Sequence, residues 1–316
     1  PVTVDKQRVR MNTAQGLEAV EQAMYQAIDS DVSVLRDAGS HILQAGGKRI
    51  RPRLVLLSCE AAGGCDLAHV VPVAAAVELV HTASVVHDDI NDHGVMRRGR
   101  PSVNSIWGRT FALLTGDFLF TCVYSLMAPY KDLNIILSDA TTALVEGETL
   151  QAAAVRDGDF TRKSYMKIIG RKTAALFSAS ARLGAELAEA RGEQVEALAR
   201  FGFNIGLAFQ IIDDILDLTA SEDQLGKTAG LDLAQGKGVA AVQVNAGNNR
   251  ATPHSPGQDP LAEFRERLLE GDTLEEARSQ ARYLKNMAVQ ELEVLPPSAA
   301  RDELVDLARA TVERDS

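Results

Sequence analysis

Residues 81–92 read His-Thr-Ala-Ser-Val-Val-His-Asp-Asp-Ile-Asn-Asp and close an apolar stretch that begins near residue 67. Its apolar residues recur at helical rather than alternating spacing, which predicts a buried helix over 67–90. On that helix Asp88 and Asp92 lie four apart, so their carboxylates share a face, about 6 Å apart along the axis. Asp89 points elsewhere. Like charges at the end of an apolar helix are unfavourable unless a cation neutralises them. Hard oxygen donors of this kind suit Mg²⁺ carried in with phosphates.

A second stretch repeats the geometry. Residues 209–217 read Phe-Gln-Ile-Ile-Asp-Asp-Ile-Leu-Asp, so Asp213 and Asp217 share a face and Asp214 is offset. One such cluster alone reads as well as a solvated helix end. Two clusters about 125 residues apart, both on strongly apolar helices, read as facing acidic walls that hold metal ions against one polyanion.

Outward from these stretches the pattern stays helical. Helices are expected at about 14–29, 31–45, 50–63, 67–90, 104–128, 133–156, 161–188, 190–219, 260–270, 273–291 and 297–313. Strand-like alternation is scarce. Residues 93–101 are rich in Gly and Arg, and 244–260 reads as an exposed loop rich in Asn, Gly and Pro. The expected fold class is all-α, one large domain over 1–316.

Of the 316 residues, 46% are hydrophobic, and the formal net charge is −10. That balance excludes a nucleic-acid binder dominated by phosphate contacts, but not small anions gathered in one cationic cleft. Cys59, Cys65 and Cys122 show no CxxC spacing and read as reduced thiols in a cytoplasmic protein. No stretch approaches 18 uncharged apolar residues, so no membrane anchor is expected.

Basic residues surround the acids. Gly46-Gly47-Lys48-Arg49-Ile50-Arg51-Pro52 joins two helices, and Pro52 suits the first turn of the second. Lys48 and Arg51 would meet a phosphate near that helix N-terminus. Arg97 and Arg98 follow the first acids, and as neighbours they point in different directions toward two anions. Lys172 and Thr173 interrupt a later apolar region; Lys227 and Lys237 follow the second acids, outside any P-loop pattern.

These segments, with Gly116-Asp117, Glu146-Gly147-Glu148 and Gln151, resemble the trans-prenyltransferase (polyprenyl diphosphate synthase) family. The matching motifs run in the family's order from 46 to 237, roughly 60% of the chain. The resemblance implies antiparallel helices around a deep central cavity, usually in a homodimer. It implies that Asp88, Asp92 and Asp213 bind Mg²⁺, three ions per site, with Asp217 contributing directly or through water. Arg97, Lys172, Thr173, Gln210, Lys227 and Lys237 would hold an allylic diphosphate. Lys48, Arg51, His81 and Arg98 would hold isopentenyl diphosphate. His87 reads as an ordinary core histidine. The chain departs from the family after Lys237, where a Thr-Leu-Pro-type segment is replaced by 238–260, and at its end, which lacks the basic tail of some members.

The implied reaction is head-to-tail condensation through an allylic cation to an all-trans polyprenyl diphosphate. Asp88, Asp92, Arg97, Lys172, Asp213 and Lys227 would carry the ionisation. Ala83 and Ser84, one turn deeper than Asp88, leave an open path where bulky residues would stop a short product, so a medium or long chain is expected. A deeper floor would come from around Leu137, Thr141 and Leu144, or from Phe118 and Phe120. A geranylgeranyl diphosphate synthase is the runner-up. A class I terpene cyclase is a further alternative, against which the second acidic cluster and a second cationic site argue.

Overall fold

A computed structural model of the chain describes residues 12–64, 66–159, 161–219 and 273–313. Their order is α1 (Thr13–Ala27), α2 (Ser33–Gln44), α3 (Ile50–Ala61), α4 (Leu67–Asn91), a short ribbon of β1 (Met96–Arg97) and β2 (Arg100–Pro101), and α5 (Val103–Met127). Then follow α6 (Leu133–Asp157), α7 (Arg162–Ile169), a π turn (Gly170–Ala174), α8 (Ala175–Leu187), α9 (Gly192–Thr219), α10 (Thr273–Glu291) and α11 (Ala299–Val312). The described residues are all-α apart from the ribbon. The expected helix at 260–270 and the loop at 244–260 lie outside the described residues.

Local chemistry explains the helix ends. Asp66 accepts from the Ala68 amide to open α4, Ser102 accepts from Ser105 to open α5, and Thr161 accepts from Ser164 to open α7. α5 is broken at Gly108, whose φ of 81° no helix continues through. The region 93–101 forms a tight hairpin rather than a plain loop. Arg98 and Gly99 at its tip have φ of 49° and 73°, the positive pair that a two-residue hairpin turn requires.

The apolar faces meet in three connected clusters. α4 packs along α5 with α1, α2 and α6 around them; α3 and α8 join α9 and α11; and α7 closes on α9 and α10. Phe177 and Phe201 are the largest side chains fully enclosed.

Two expectations are corrected. Cys59 is disulfide-bonded, whereas Cys122 is a buried free thiol facing the Ala27 carbonyl. The reversal after α3, where Gly63 and Gly64 take φ of 133° and 76°, folds the chain back over Cys59, which spacing alone does not reveal. By length and composition alone, α4, α5 and α9 are each long and apolar enough to cross a membrane, against the expectation that no segment would be. The reason is that one or two charges do not offset runs so rich in Val, Ala, Leu and Phe. α4 and α9 bury most of their apolar windows inside the fold, while α5 buries only 39% of its own.

Candidate active site

The two acidic segments meet at the π turn. Lys172 Nζ lies 3.8 Å from Asp88 Oδ2, at the end of α4. Its neighbour Thr173 donates from Oγ1 to Gln210 Oε1 at 2.8 Å, one turn before the acids of α9. Two consecutive residues thus address opposite walls. A π turn does this because its hydrogen bond spans five residues, here Ala175 N–H to the Gly170 carbonyl, and widens the helix locally.

α6 supplies the rest of the Lys172 cage. Glu148 Oε1 stands 2.7 Å from Nζ, and Gln151 Oε1 accepts from it at 3.1 Å. Glu146 pairs with Arg171 on the outer side. This approach depends on Gly147: a Cβ there would lie 2.4 Å from the Lys172 amide nitrogen and 2.8 Å from its Cα, both backbone atoms that cannot give way. Lys172 is held well above the usual ammonium range, because Asp88, Glu148 and Asp92 outweigh its burial. Burial, with Asp88 nearby, pushes Glu148 up to about 7 despite the lysine.

Within each acidic cluster the central acid turns away from its companions. Asp89 is buried, and Arg97 donates to its Oδ1 from Nη2 at 2.6 Å and from Nε at 3.1 Å. Asp214 is buried too; its Oδ1 accepts from Gln210 Nε2 at 2.9 Å and its Oδ2 from the Tyr165 hydroxyl at 2.5 Å. Asp88 and Asp92 are only partly buried, Asp213 is exposed, and Asp217 is buried.

A cationic patch adjoins these walls. The hairpin sends Arg97 back to Asp89 and lays Arg98 against Gly47, where a Cβ would stand 2.4 Å from the Arg98 guanidinium. Arg51 packs over the Phe177 ring, 4.7 Å from its centroid, and burial lowers it to about 10 while Glu78 and Asp213 oppose. Burial first, and then the charges of Arg51, Arg98, Arg97 and Arg49, hold His81 well below the usual imidazole range, so the ring is neutral. Arg49, itself left-handed at φ of 46°, turns inward and donates to buried Glu78 at 2.9 Å. Lys48 is exposed on the same loop.

Ala83 has no exposed surface and is packed in the core, so close packing rather than an open wall accounts for its size. Ser84 keeps a sliver of surface, with its hydroxyl returned to the His81 carbonyl at 2.8 Å. His87 lies against Gly116 and faces the Leu113 carbonyl at 3.3 Å. Lys227 and Lys237 lie outside the described residues. Sequence reasoning missed Tyr165, Glu78 and Arg49. Glu78 carried one signal, a lone acid in an otherwise apolar helical run; Tyr165 carried none.

The carboxylate donors fit hard divalent cations that arrive with phosphate oxygens. Among the described residues no three His, Cys, Asp or Glu side chains close on a single point.

An all-α scaffold with two acidic walls joined by the π turn and a cationic patch beside them defines an isoprenoid synthase. Residues 32–255 match the polyprenyl synthetase family model. The chain is 35% identical to the octaprenyl diphosphate synthase of Escherichia coli, over 98% of this chain and 99% of that one. It is 38% identical to heptaprenyl diphosphate synthase component 2 of Geobacillus stearothermophilus, over 95% and 96%. A polyprenyl synthase from Caulobacter crescentus, solved with calcium and isoprenyl diphosphate, superposes with a TM-score of 0.89 at 30% identity, covering 98% of this chain and all of the other. The chain belongs to the polyprenyl synthetase family and is a trans-polyprenyl diphosphate synthase, a prenyltransferase.

Proposed function

We propose that the chain elongates an allylic diphosphate with isopentenyl diphosphate to a medium- or long-chain all-trans product, since its relatives' names include heptaprenyl, octaprenyl and nonaprenyl diphosphate synthases. The observation that carries this is the π turn, which ties Lys172 to Asp88 and Thr173 to Gln210 and so makes one anion site of two distant segments.

In this reading Arg97, Lys172, Thr173 and Gln210, with Lys227 and Lys237, bind the allylic diphosphate. Lys48, Arg51, Arg98 and neutral His81 bind isopentenyl diphosphate. Asp88, Asp92 and Asp213, with Asp217 directly or through water, would hold Mg²⁺, which when bound supplies Lewis-acid withdrawal of charge from the leaving diphosphate. Lys172 and Arg97 stabilise charge that develops on that diphosphate as the allylic C1–O bond breaks and its electron pair leaves with oxygen. The isopentenyl double bond then attacks C1, a carbon–carbon bond forms, and a proton passes from the adduct to the departed diphosphate. Packed apolar helices keep water from the cation.

A homodimer is part of the proposal. α5 and α6 present exposed Ile106, Phe111, Leu113, Leu114, Tyr124 and Ile135, and Tyr124 is 73% exposed. A broad apolar face of this kind suits burial against a second copy.

Incubation of the purified protein with isopentenyl diphosphate, Mg²⁺ and a farnesyl or geranylgeranyl primer, with product lengths read by mass spectrometry, tests the reading. Products beyond twenty carbons are expected. Arrest at twenty would make it a geranylgeranyl diphosphate synthase. No elongation by folded, metal-loaded protein would overturn activity of the chain alone and direct attention to a second component.

A further inference from the structure

Tyr165 takes no part in the clamp described above, yet its hydroxyl starts a buried chain of hydrogen bonds that ends inside it. The hydroxyl donates to Asp214 Oδ2 at 2.5 Å, Gln210 Nε2 donates to Asp214 Oδ1 at 2.9 Å, and Thr173 Oγ1 donates to Gln210 Oε1 at 2.8 Å. Tyr165, Asp214 and Thr173 are all buried, so each group depends on these partners rather than on bulk water. Burial, with Asp214 and Asp213 close by, holds the phenol well above its usual range, and it remains a donor.

The chain has a direction. A carboxylate accepting on both oxygens is fixed in its plane, and Gln210 must turn its NH₂ toward it. Turning the amide over would set its carbonyl oxygen against a carboxylate oxygen, two acceptors in a buried site. With the amide fixed, Oε1 takes the Thr173 hydroxyl proton, and the second N–H of Gln210 is the donor left for an incoming phosphate oxygen.

We infer that Tyr165 is a positioning residue: by locking Asp214 it sets the Gln210 amide, with its second N–H, and so preorganises one diphosphate subsite from behind. That this subsite is the allylic one rests on the reading proposed above.

The test compares Tyr165→Phe, Gln210→Ala and the double variant, with KM measured for each substrate, kcat, and Tm. Gln210→Ala identifies the substrate this residue holds. Tyr165→Phe is expected to raise the same KM by about tenfold, the scale of one lost charge-assisted hydrogen bond, while the other KM changes less than about twofold. In the Gln210→Ala background it is expected to add less than about twofold, since its effect passes through Gln210. Asp214→Asn, which keeps the shape and disturbs the amide orientation, serves if Tyr165→Phe does not fold, with the same pattern expected. A parallel rise of both KM values with a fall in Tm, or an undiminished effect on the Gln210→Ala background, would overturn the inference. A Gln210→Ala effect on the isopentenyl KM would instead overturn the substrate assignment, and the double variant would still decide the positioning role.

Discussion

Arg97 directs two of its nitrogens, Nε and Nη2, at the same oxygen of Asp89, 3.1 and 2.6 Å away. The acid is buried at the foot of the hairpin that carries the arginine, so the guanidinium is fixed at its inner edge and keeps its remaining N–H groups for a ligand. Asp89 is thus the anchor of Arg97 rather than a third member of the acidic wall. Asp89→Asn should leave the fold intact and raise the KM for the allylic substrate by about tenfold, from the loss of a charge-assisted pair. Steady-state kinetics with each substrate varied in turn would check it; equal effects on both would contradict the anchoring role.

His81 gives a pH signature. Its folded-state pKa is held below its usual value by burial and four arginines. The unfolded chain therefore binds the proton first as pH falls below about 6.5, and the folded state loses stability there. His81→Asn should flatten the decline between pH 6.5 and 5 by up to one proton's worth of slope, and leave stability at pH 8 less affected. Urea denaturation across that range measures it.

Gly147→Ala should damage the site by displacing Lys172 rather than by replacing a ligand-binding group. The added methyl meets Lys172 backbone atoms, so α6 and the π turn must part. A destabilisation of about 1–3 kcal/mol is expected, with a larger loss of kcat than any outward-facing alanine on α6 produces. Thermal melts and turnover measured together would show it.

Product length should respond to Ser84. Phe at this position projects one turn below Asp88 from a site that keeps only 9% of its surface. Ser84→Phe is expected to shorten the product by one or more isoprene units, read by mass spectrometry. An unchanged distribution would place the stop elsewhere along the cavity.

The helices were legible because their apolar periodicity is strong. α4, α6 and α9 were expected at 67–90, 133–156 and 190–219, and they run 67–91, 133–157 and 192–219. The ordered acids and bases also revealed the chemistry, since carboxylates in apolar helices need counter-charge. What stayed hidden depends on which groups meet across helices. The π turn looks in sequence like one more segment of a long helix over 161–188. Tyr165 reads as an ordinary core aromatic until α9 brings Asp214 to its hydroxyl. Glu78 gains meaning only once the left-handed Arg49 turns back onto it. The cysteine reading failed for a similar reason, because a glycine turn rather than a spacing motif decides what Cys59 meets.

The turn at 170–174 also acts as a phase marker between the two halves of a longer rod. Each residue of an α-helix advances the face by about 100°, and the wide turn takes up one extra residue without that rotation, so the helix keeps its face on either side. Removing one residue from 170–174 and letting the rod close into a continuous α-helix would leave α8 and Tyr165 facing their present neighbours. It would remove the widened arc on which Lys172 and Thr173 face two ways. A single-residue deletion here would therefore flatten the gearing: a well-folded helix, in place at both ends, that no longer reaches both acidic walls from adjacent residues.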